Sequence, residues 1–210
     1  MQMIELKKYA TGAARAFTCG GGQFYFLSGD GSFLYIYSLD GDFIKKKSLK
    51  RPYRTIYHDG DRLYGCTHED GGVIYTLDGG FNERSAVYLD SYLCRFGQIA
   101  SFCVQGGDFI ISSLFELVRY SVYGQRLDLF TKFENGSCAA ICGCENGFAA
   151  VLSDGSSRRV CLLNKNARPI SEKFLPKNLY PFGIWANDRI YAACERNNIY
   201  NCAVDITEYI

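Results

Sequence analysis

Short runs of alternating hydrophobic and polar residues follow one another along nearly the whole chain, and turn residues separate them. An alternation with a period of two predicts β-strands that bury one face. Clusters of Gly, Asn and Asp between the runs predict tight hairpins, because these residues accept the positive φ angles that such turns require. The pattern therefore predicts an all-β protein.

One turn recurs about every forty residues. Its five copies begin at positions 37, 75, 120, 161 and 202, so the spacings are 38, 45, 41 and 41. The copies are Tyr37–Gly41, Tyr75–Gly79, Tyr120–Gly124, Cys161–Lys165 and Cys202–Ile206. A period near forty that contains only strands is typical of the blades of a β-propeller. We predict a single domain over residues 1–210, with blades at about 10–49, 50–90, 91–134, 135–176 and 177–210, the last completed by residues 1–9.

Each unit divides into four strands, which we name a to d from the axis of the ring outwards. The strand-a runs are small and apolar, as the crowded position beside the axis requires, whereas the strand-d runs carry charges. Charged residues on an outermost strand discourage pairing with other chains. The prolines agree with this division, since we expect Pro52, Pro176 and Pro181 between units and Pro169 at the start of an edge strand.

The fifth unit has no strand d of its own. Met3–Tyr9 resembles the strand-d run Phe43–Leu49 in charge and hydrophobic spacing. We therefore predict that the N-terminal strand completes the last blade and closes the ring, which pairs two otherwise open edges. An open β-array or a β-sandwich is the alternative, because short strands with regular turns also occur there.

Over its whole length the chain resembles small five-bladed β-propellers in architecture. It lacks the Trp-Asp and Gly-His signatures of WD40 repeats and the double glycine of kelch repeats. Propellers of this size include an invertebrate lectin, glycoside hydrolases and nucleotidases, so the resemblance implies a fold and leaves the function open. The repeated tryptophans of the lectin are missing, since Trp185 is the single tryptophan.

Charge and hydropathy narrow the function. Lys and Arg number 23 and Asp and Glu 22, which argues against a general nucleic-acid binder. No apolar run approaches the roughly 18 residues of a spanning helix, and the first residues lack the apolar stretch of a secretory signal. We expect a cytoplasmic monomer without a nucleic-acid or membrane partner. The basic run Lys45–Arg51 is then explained as a soluble edge strand.

The ten cysteines are expected to be free packing residues. Several occupy repeat positions that Tyr, Ala or Leu fill in other units, as a small buried hydrophobe would. Cys138, Cys142 and Cys144 form a cluster, and Cys66 lies two residues before His68, but neither has the paired spacing of a structural zinc site. We therefore predict no metal and no cofactor.

The acidic residues give little support to an enzyme. Glycosidases of the usual kind place two carboxyl groups across the scissile bond, and the five strand-a runs contain no acid. The acids at the predicted b–c turns are first of all turn formers: Asp30, Glu69, Asp70, Glu116, Asp154 and Glu195.

The candidate binding face lies where the d–a and b–c connections meet at one end of the ring. Arginine and aromatic residues are enriched in binding sites, and this end offers them as candidate ligand or partner contacts: Arg15, Tyr53, Arg54, Arg95, Phe96 and Tyr180, with Phe182 nearby. The same residues could instead serve ring packing. We predict a non-catalytic binding module for an unknown protein, small molecule or sugar. A carbohydrate-binding propeller is the alternative, and a hydrolase is a third.

Overall fold

A computed structural model describes residues 1–7, 14–67, 72–90, 99–113, 116–132, 136–197 and 200–210. These ranges contain twenty strands and no helix. The strands of the first two blades are β2 (Ala14–Gly20), β3 (Gln23–Ser28), β4 (Phe33–Ser38), β5 (Phe43–Ser48), β6 (Tyr53–His58), β7 (Leu63–Thr67), β8 (Val73–Leu77) and β9 (Glu83–Tyr88). The next two blades contain β10 (Ile99–Gln105), β11 (Asp108–Ser113), β12 (Glu116–Tyr120), β13 (Arg126–Lys132), β14 (Ser137–Cys144), β15 (Gly147–Ser153), β16 (Arg158–Asn164) and β17 (Pro169–Lys173). The last blade consists of β18 (Leu179–Ala186), β19 (Ile190–Arg196), β20 (Tyr200–Asp205) and the N-terminal β1 (Gln2–Glu5).

Five four-stranded antiparallel sheets make up the fold, and in four of them the strand order follows the chain. The innermost strands β2, β6, β10, β14 and β18 contact one another in sequence, and β18 contacts β2 again. This confirms the predicted five-bladed β-propeller. The described ranges hold no helix with the length and apolar character needed to cross a membrane.

The N-terminal strand closes the ring, as its sequence predicts. β1 pairs antiparallel with β20, from Gln2 opposite Asp205 to Glu5 opposite Cys202. The chain then reaches the first blade, where the Lys7 N–H donates to the Gly41 carbonyl at 2.9 Å. Gly41 has a φ of 85°, and a Cβ there would lie 2.2 Å from the Glu5 carbonyl oxygen, so only glycine permits this approach.

The core lies between the blades. Its largest fully buried side chains are Tyr37, Tyr53, Tyr120, Phe24, Phe102 and Phe148, all on the three inner strands of their blades. The outer strands β5, β9, β13 and β17 contain no fully buried side chain. Burial of the inner strands is the main source of stability, since apolar area contributes about 25 cal/mol per Å².

One expectation about proline is wrong. Pro181 lies inside the innermost strand β18, opposite Cys194, and not between units. The strand tolerates it because β18 has a neighbour only on one side, and because the register shifts between Pro181 and Gly183. An edge position next to a bulge is where a residue without an N–H can be accommodated.

We expect deletion of residues 1–9 to destabilise the ring, because it leaves β20 without its outer partner. Each kcal/mol lost shifts the melting temperature of a domain of this size by about 2–4 °C, so losing a strand should lower it by roughly 10 °C or more. Thermal unfolding followed by circular dichroism measures this. Glu5→Gln is the control, since its exposed 2.7 Å ion pair with Arg196 contributes little. An unchanged melting temperature of the truncated chain would contradict closure by β1.

Candidate functional site

Every innermost strand contains a β-bulge near its first residues. Strand pairing skips one residue in each of the five, between Ala14 and Ala16 in the first blade and at the corresponding place in the others. The skipped residues are Arg15, Arg54, Ala100, Ala139 and Phe182. A bulge turns a side chain away from the regular pleat, and bulges are common beside binding sites.

All five skipped residues line one cavity at the d–a end of the axis. This cavity, which we call the axial pocket, has a volume of about 410 Å³. Its lining consists of Ala14, Arg15, Arg54, Ala100, Ser137, Ala139, Arg158, Tyr180, Phe182, Glu195 and Asn201. The five equivalent positions make it asymmetric, because the first two blades supply arginine, the next two alanine and the last phenylalanine.

The arginines of the pocket are tied to the backbone of the following blade. Arg15 Nη1 donates to the Tyr53 carbonyl at 3.4 Å, and Arg158 Nη1 donates to the Pro181 carbonyl at 3.0 Å. Arg54 Nε donates in the same way to the Ile99 carbonyl. Each acceptor is the residue immediately before a bulge, so each guanidinium supplies a donor to a backbone carbonyl beside a bulge.

The third blade also donates to a carbonyl of the following blade, but it uses a serine instead of an arginine. Ser112 Oγ donates to the carbonyl of Cys138, the residue before the bulge of the fourth blade. A short hydroxyl reaches this carbonyl from β11, so the axial position of blade three needs only Ala100. In blade four Arg158 is the donor to the next blade, and Ala139 occupies the axial position.

Arg158 has a second fixed contact. Its guanidinium carbon lies 4.5 Å from the centre of the Tyr180 ring, in cation–π geometry. Its buried Nε has no hydrogen-bond partner among the described residues. Arg158 is thus held in place at the wall of the pocket by a hydrogen bond and a ring contact.

The predicted site residues divide into three groups. The structure brings Arg15, Arg54 and Tyr180 together in the axial pocket. Arg95 and Phe96 lie outside the described residues. Tyr53 faces the interior of its blade instead, where its side chain is 1% exposed and its hydroxyl donates to Glu83 Oε1 at 2.8 Å. Its ring lies directly against Gly65, where a Cβ atom would clash with it. The prediction for Tyr53 is therefore corrected: it is a packing residue, and only its backbone carbonyl contacts a pocket side chain, that of Arg15.

Sequence reasoning missed Arg158 and Glu195. Glu195 was assigned to a turn, yet it belongs to β19 and lies opposite Tyr180 in the β18–β19 ladder. The sequence did contain a signal for these two residues. Both lie beside b–c turns, and the b–c turns lie at the same end of the ring as the d–a connections. Glu116 was also assigned to a turn, but it is buried in β12 and pairs with Lys132 at 3.4 Å.

Two other acids do form turns, as expected. Asp154 accepts the N–H groups of Ser156 and Ser157 at 3.1 and 2.8 Å, and these hydrogen bonds lower the pKa of its carboxyl to about 2. Asp30 accepts the Ser32 N–H at 3.0 Å, and a hydrogen bond from Ser28 is the main cause of its lowered pKa. These carboxylates serve hairpin geometry. Glu69 and Asp70 lie outside the described residues.

The cysteines are packing residues in the described ranges. Cys19, Cys66, Cys103, Cys138, Cys142, Cys161, Cys194 and Cys202 are buried and free, and Cys144 is half-buried and free. Burial raises the pKa of the Cys138 and Cys142 thiols to about 12. Neutral thiols of this kind are poor metal ligands and poor nucleophiles. The described residues contain no group of three or more His, Cys, Asp or Glu side chains placed to hold a metal ion.

The axis is closed towards its other end. Trp185 Nε1 donates across the ring to the His58 carbonyl at 3.4 Å, and the His58 ring stacks on Tyr25 with 5.6 Å between ring centres. Burial lowers the pKa of His58. A second cavity of about 910 Å³ lies at this other end of the ring. It is lined mainly by the a–b turns and β1, and its residues include Trp185, Asp188, Arg189 and Tyr191.

Solved structures share this fold at low sequence identity. Glutaminyl cyclase from Myxococcus xanthus superposes with a TM-score of 0.69 at 12% identity, over 98% of this chain and 95% of that one. A protein of unknown function from Bacteroides caccae gives 0.53 at 14% identity over 88% and 71% of the two chains. Virginiamycin B lyase from Staphylococcus aureus gives 0.51 at 14% identity over 91% and 66%. No protein-family model and no curated protein matches the sequence. These likenesses show the fold alone.

We expect the thiols to react only after unfolding. In native protein at pH 8, iodoacetamide should leave the eight buried cysteines unmodified, because burial blocks access of the reagent to each thiol. In denaturant without a reducing agent, nearly all ten cysteines of the chain should be modified. Mass spectrometry counts the labels. Several unlabelled cysteines in denaturant would reveal disulfides, and one equivalent of zinc by metal analysis would contradict the absence of a metal site.

Ser112→Ala tests whether the carbonyl before a bulge needs its donor. We expect a loss of about 1–3 kcal/mol in the free energy of unfolding, because the Cys138 carbonyl would stay buried without that partner. Urea unfolding measures the change. Ser113→Ala is the matched control, since its 3.4 Å bond to the Glu116 carbonyl is longer and only partly buried. Equal effects of both variants would show that the contact has no special role.

Proposed function

We propose that this propeller is a non-catalytic binding module that captures a small anionic ligand in the axial pocket. The observation that carries the proposal is the convergence of three guanidinium groups, those of Arg15, Arg54 and Arg158, with a single carboxylate among the described lining residues. Such an excess of fixed positive charge favours an anion over a neutral ligand.

The guanidinium groups support binding because they are already held in place. Each has five N–H donors, and the recorded hydrogen bonds to the following blade use one donor each. The remaining donors can address a carboxylate or phosphate in the bidentate manner that suits arginine. Because the side chains are fixed before the ligand arrives, less conformational entropy is lost on binding.

Binding without turnover is the better supported reading of this pocket. A hydrolase of the two-carboxylate type needs a second acid, and Glu195 is the only carboxyl group in the described lining. Two of the proteins with a similar fold are named as a cyclase and a lyase, but an identity of 12–14% transfers no activity.

Carbohydrate binding is the second candidate, and it has support at the opposite end of the ring. There Trp185 and Tyr191 lie nearly parallel, at 25° and 6.3 Å, in a cavity that also holds Asp188 and Arg189. Sugars are commonly bound by an aromatic ring beside hydrogen-bonding groups, and here Trp185 is the partly exposed ring, because Tyr191 is buried beneath it. This candidate would need a site distinct from the axial pocket.

The proposed setting is the reducing cytoplasm, with the protein as a monomer. Buried free cysteines support a reducing compartment. Charged outer strands support a single ring, because residues such as Lys45–Lys47 on β5 oppose edge-to-edge pairing.

The test uses benzoate, which combines a carboxylate with a flat apolar body. We expect benzoate to bind the wild-type protein in calorimetric titration, and the double variant Arg15→Ala/Arg54→Ala to lose at least about tenfold in affinity, since it removes two charge-assisted contacts. Lys45→Ala/Lys47→Ala removes the same charge from the outer strand and should leave affinity unchanged. Equal losses in both double variants, or a loss only in the lysine variant, would place the site elsewhere.

A further inference from the structure

The axial pocket holds one negative charge among its three positive ones. Glu195 lines the pocket beside Tyr180 and Asn201. Building on the anion-binding function proposed above, we propose that the ligand is a free α-amino acid with an apolar side chain. Its carboxylate contacts Arg15 and Arg54, its ammonium group contacts Glu195, and its side chain lies towards Ala100, Ala139 and Phe182.

The placement of charge around the ring matches an α-amino acid. Arg54 and Arg15 belong to blades two and one, and Glu195 belongs to blade five, which contacts blade one through their innermost strands β18 and β2. The cationic and anionic parts of the pocket are therefore neighbours. An α-amino acid carries its carboxylate and its ammonium group on adjacent carbon atoms, so it presents opposite charges side by side.

Glu195 has no cationic partner within the part of the chain that the structure describes. It forms no ion pair with a described residue, although three arginines line the same pocket. Each of those arginines donates to a backbone carbonyl, and Arg158 also stacks on Tyr180. The neighbouring Arg196 is engaged outside the pocket, with Glu5 at 2.7 Å. The carboxylate therefore remains available to a ligand cation.

The axial positions of blades three, four and five are apolar, while Ser137 and Arg158 of blade four also line the pocket. Blades three, four and five place Ala100, Ala139 and Phe182 at the axial positions, directly following one another around the ring. The alanines leave room that arginine fills in blades one and two, and the Phe182 ring offers a flat surface. A side chain without charge fits this half, because no charged group stands at these three positions to compensate a buried charge.

The size of the pocket agrees with a single small molecule. A volume of about 410 Å³ lies within the usual range of small-ligand sites, roughly 300–1,000 Å³. Closure of the axis by Trp185 and His58 on the far side gives the pocket a floor. A ligand therefore enters and leaves from the d–a end.

Three related compounds separate the contributions of the two charges. L-Phenylalanine carries both charges, 3-phenylpropionate lacks the ammonium group, and phenethylamine lacks the carboxylate. In calorimetric titration of the full chain, we expect L-phenylalanine to bind at least about tenfold more tightly than either analogue, since each analogue loses one charge-assisted contact.

Glu195→Gln then tests the assigned role of the carboxylate. The variant should bind L-phenylalanine about tenfold more weakly and 3-phenylpropionate more tightly, because the same change removes an attraction for one ligand and a repulsion for the other. Asp188→Asn is the matched control. It removes an equal charge at the opposite end of the ring and should alter neither affinity. The melting temperature of each variant reports whether the fold is intact.

The possible results distinguish the two proposals. If 3-phenylpropionate binds wild type as tightly as L-phenylalanine, or if Glu195→Gln changes both affinities in the same direction, the amino-acid inference is overturned. Benzoate binding that depends on Arg15 and Arg54 would still support the anion site in that case. If neither benzoate nor any of the three compounds binds at millimolar concentration, both proposals are overturned. Opposite changes for the two ligands would support the inference.

Discussion

The unpaired edge of each innermost strand is the constraint on which the rest of the structure depends. Strands β2, β6, β10, β14 and β18 have a sheet neighbour on one side only, and their other edge faces the next blade and the axis. Buried backbone groups on such an edge need hydrogen-bond partners. The preceding blade supplies them as side chains, with donors such as Arg158 and Ser112 near the d–a end. Further along, Thr18, Ser101 and Cys142 accept N–H groups from the next blade.

The candidate site is a product of the same constraint. In four of the five innermost strands the carbonyl before the bulge accepts a hydrogen bond from a side chain of the preceding blade. The bulged residues of all five strands line the pocket, so three of these donor side chains also surround it. Arg15 and Arg54 illustrate both roles, since each satisfies a carbonyl of the next blade and keeps further donors for a ligand. The alanine of blade three is compatible with the fold because Ser112 donates to the next blade in its place, and the alanine of blade four because Arg158 does so. The pocket therefore combines arginine side chains with two small axial residues.

The comparison with other propellers separates architecture from chemistry. A TM-score of 0.69 at 12% identity means that this arrangement of strands is reached by largely different sequences. Many different sequences can supply the alternating hydrophobic pattern and the turn residues that these strands and hairpins require. The charge of the pocket depends on few positions, namely the five skipped residues and the hairpin ends around them. Function must therefore be argued from the pocket itself.

The sequence by itself determined the five blades, their strands and the closing role of β1, because repetition and period-two alternation are local properties of the chain. It also predicted that Arg15, Arg54 and Tyr180 lie at one end of the ring, since all three stand near the start of innermost strands. Only the tertiary structure decided which side chains face the axis. One extra residue in a strand reverses the facing of its neighbours, and the five bulges leave no local signal in the sequence. For this reason Tyr53 turned out to be buried and Pro181 fell within a strand. Glu195 and Arg158 became pocket residues because the b–c hairpin ends of blades five and four lie at the same end of the ring as the innermost-strand bulges.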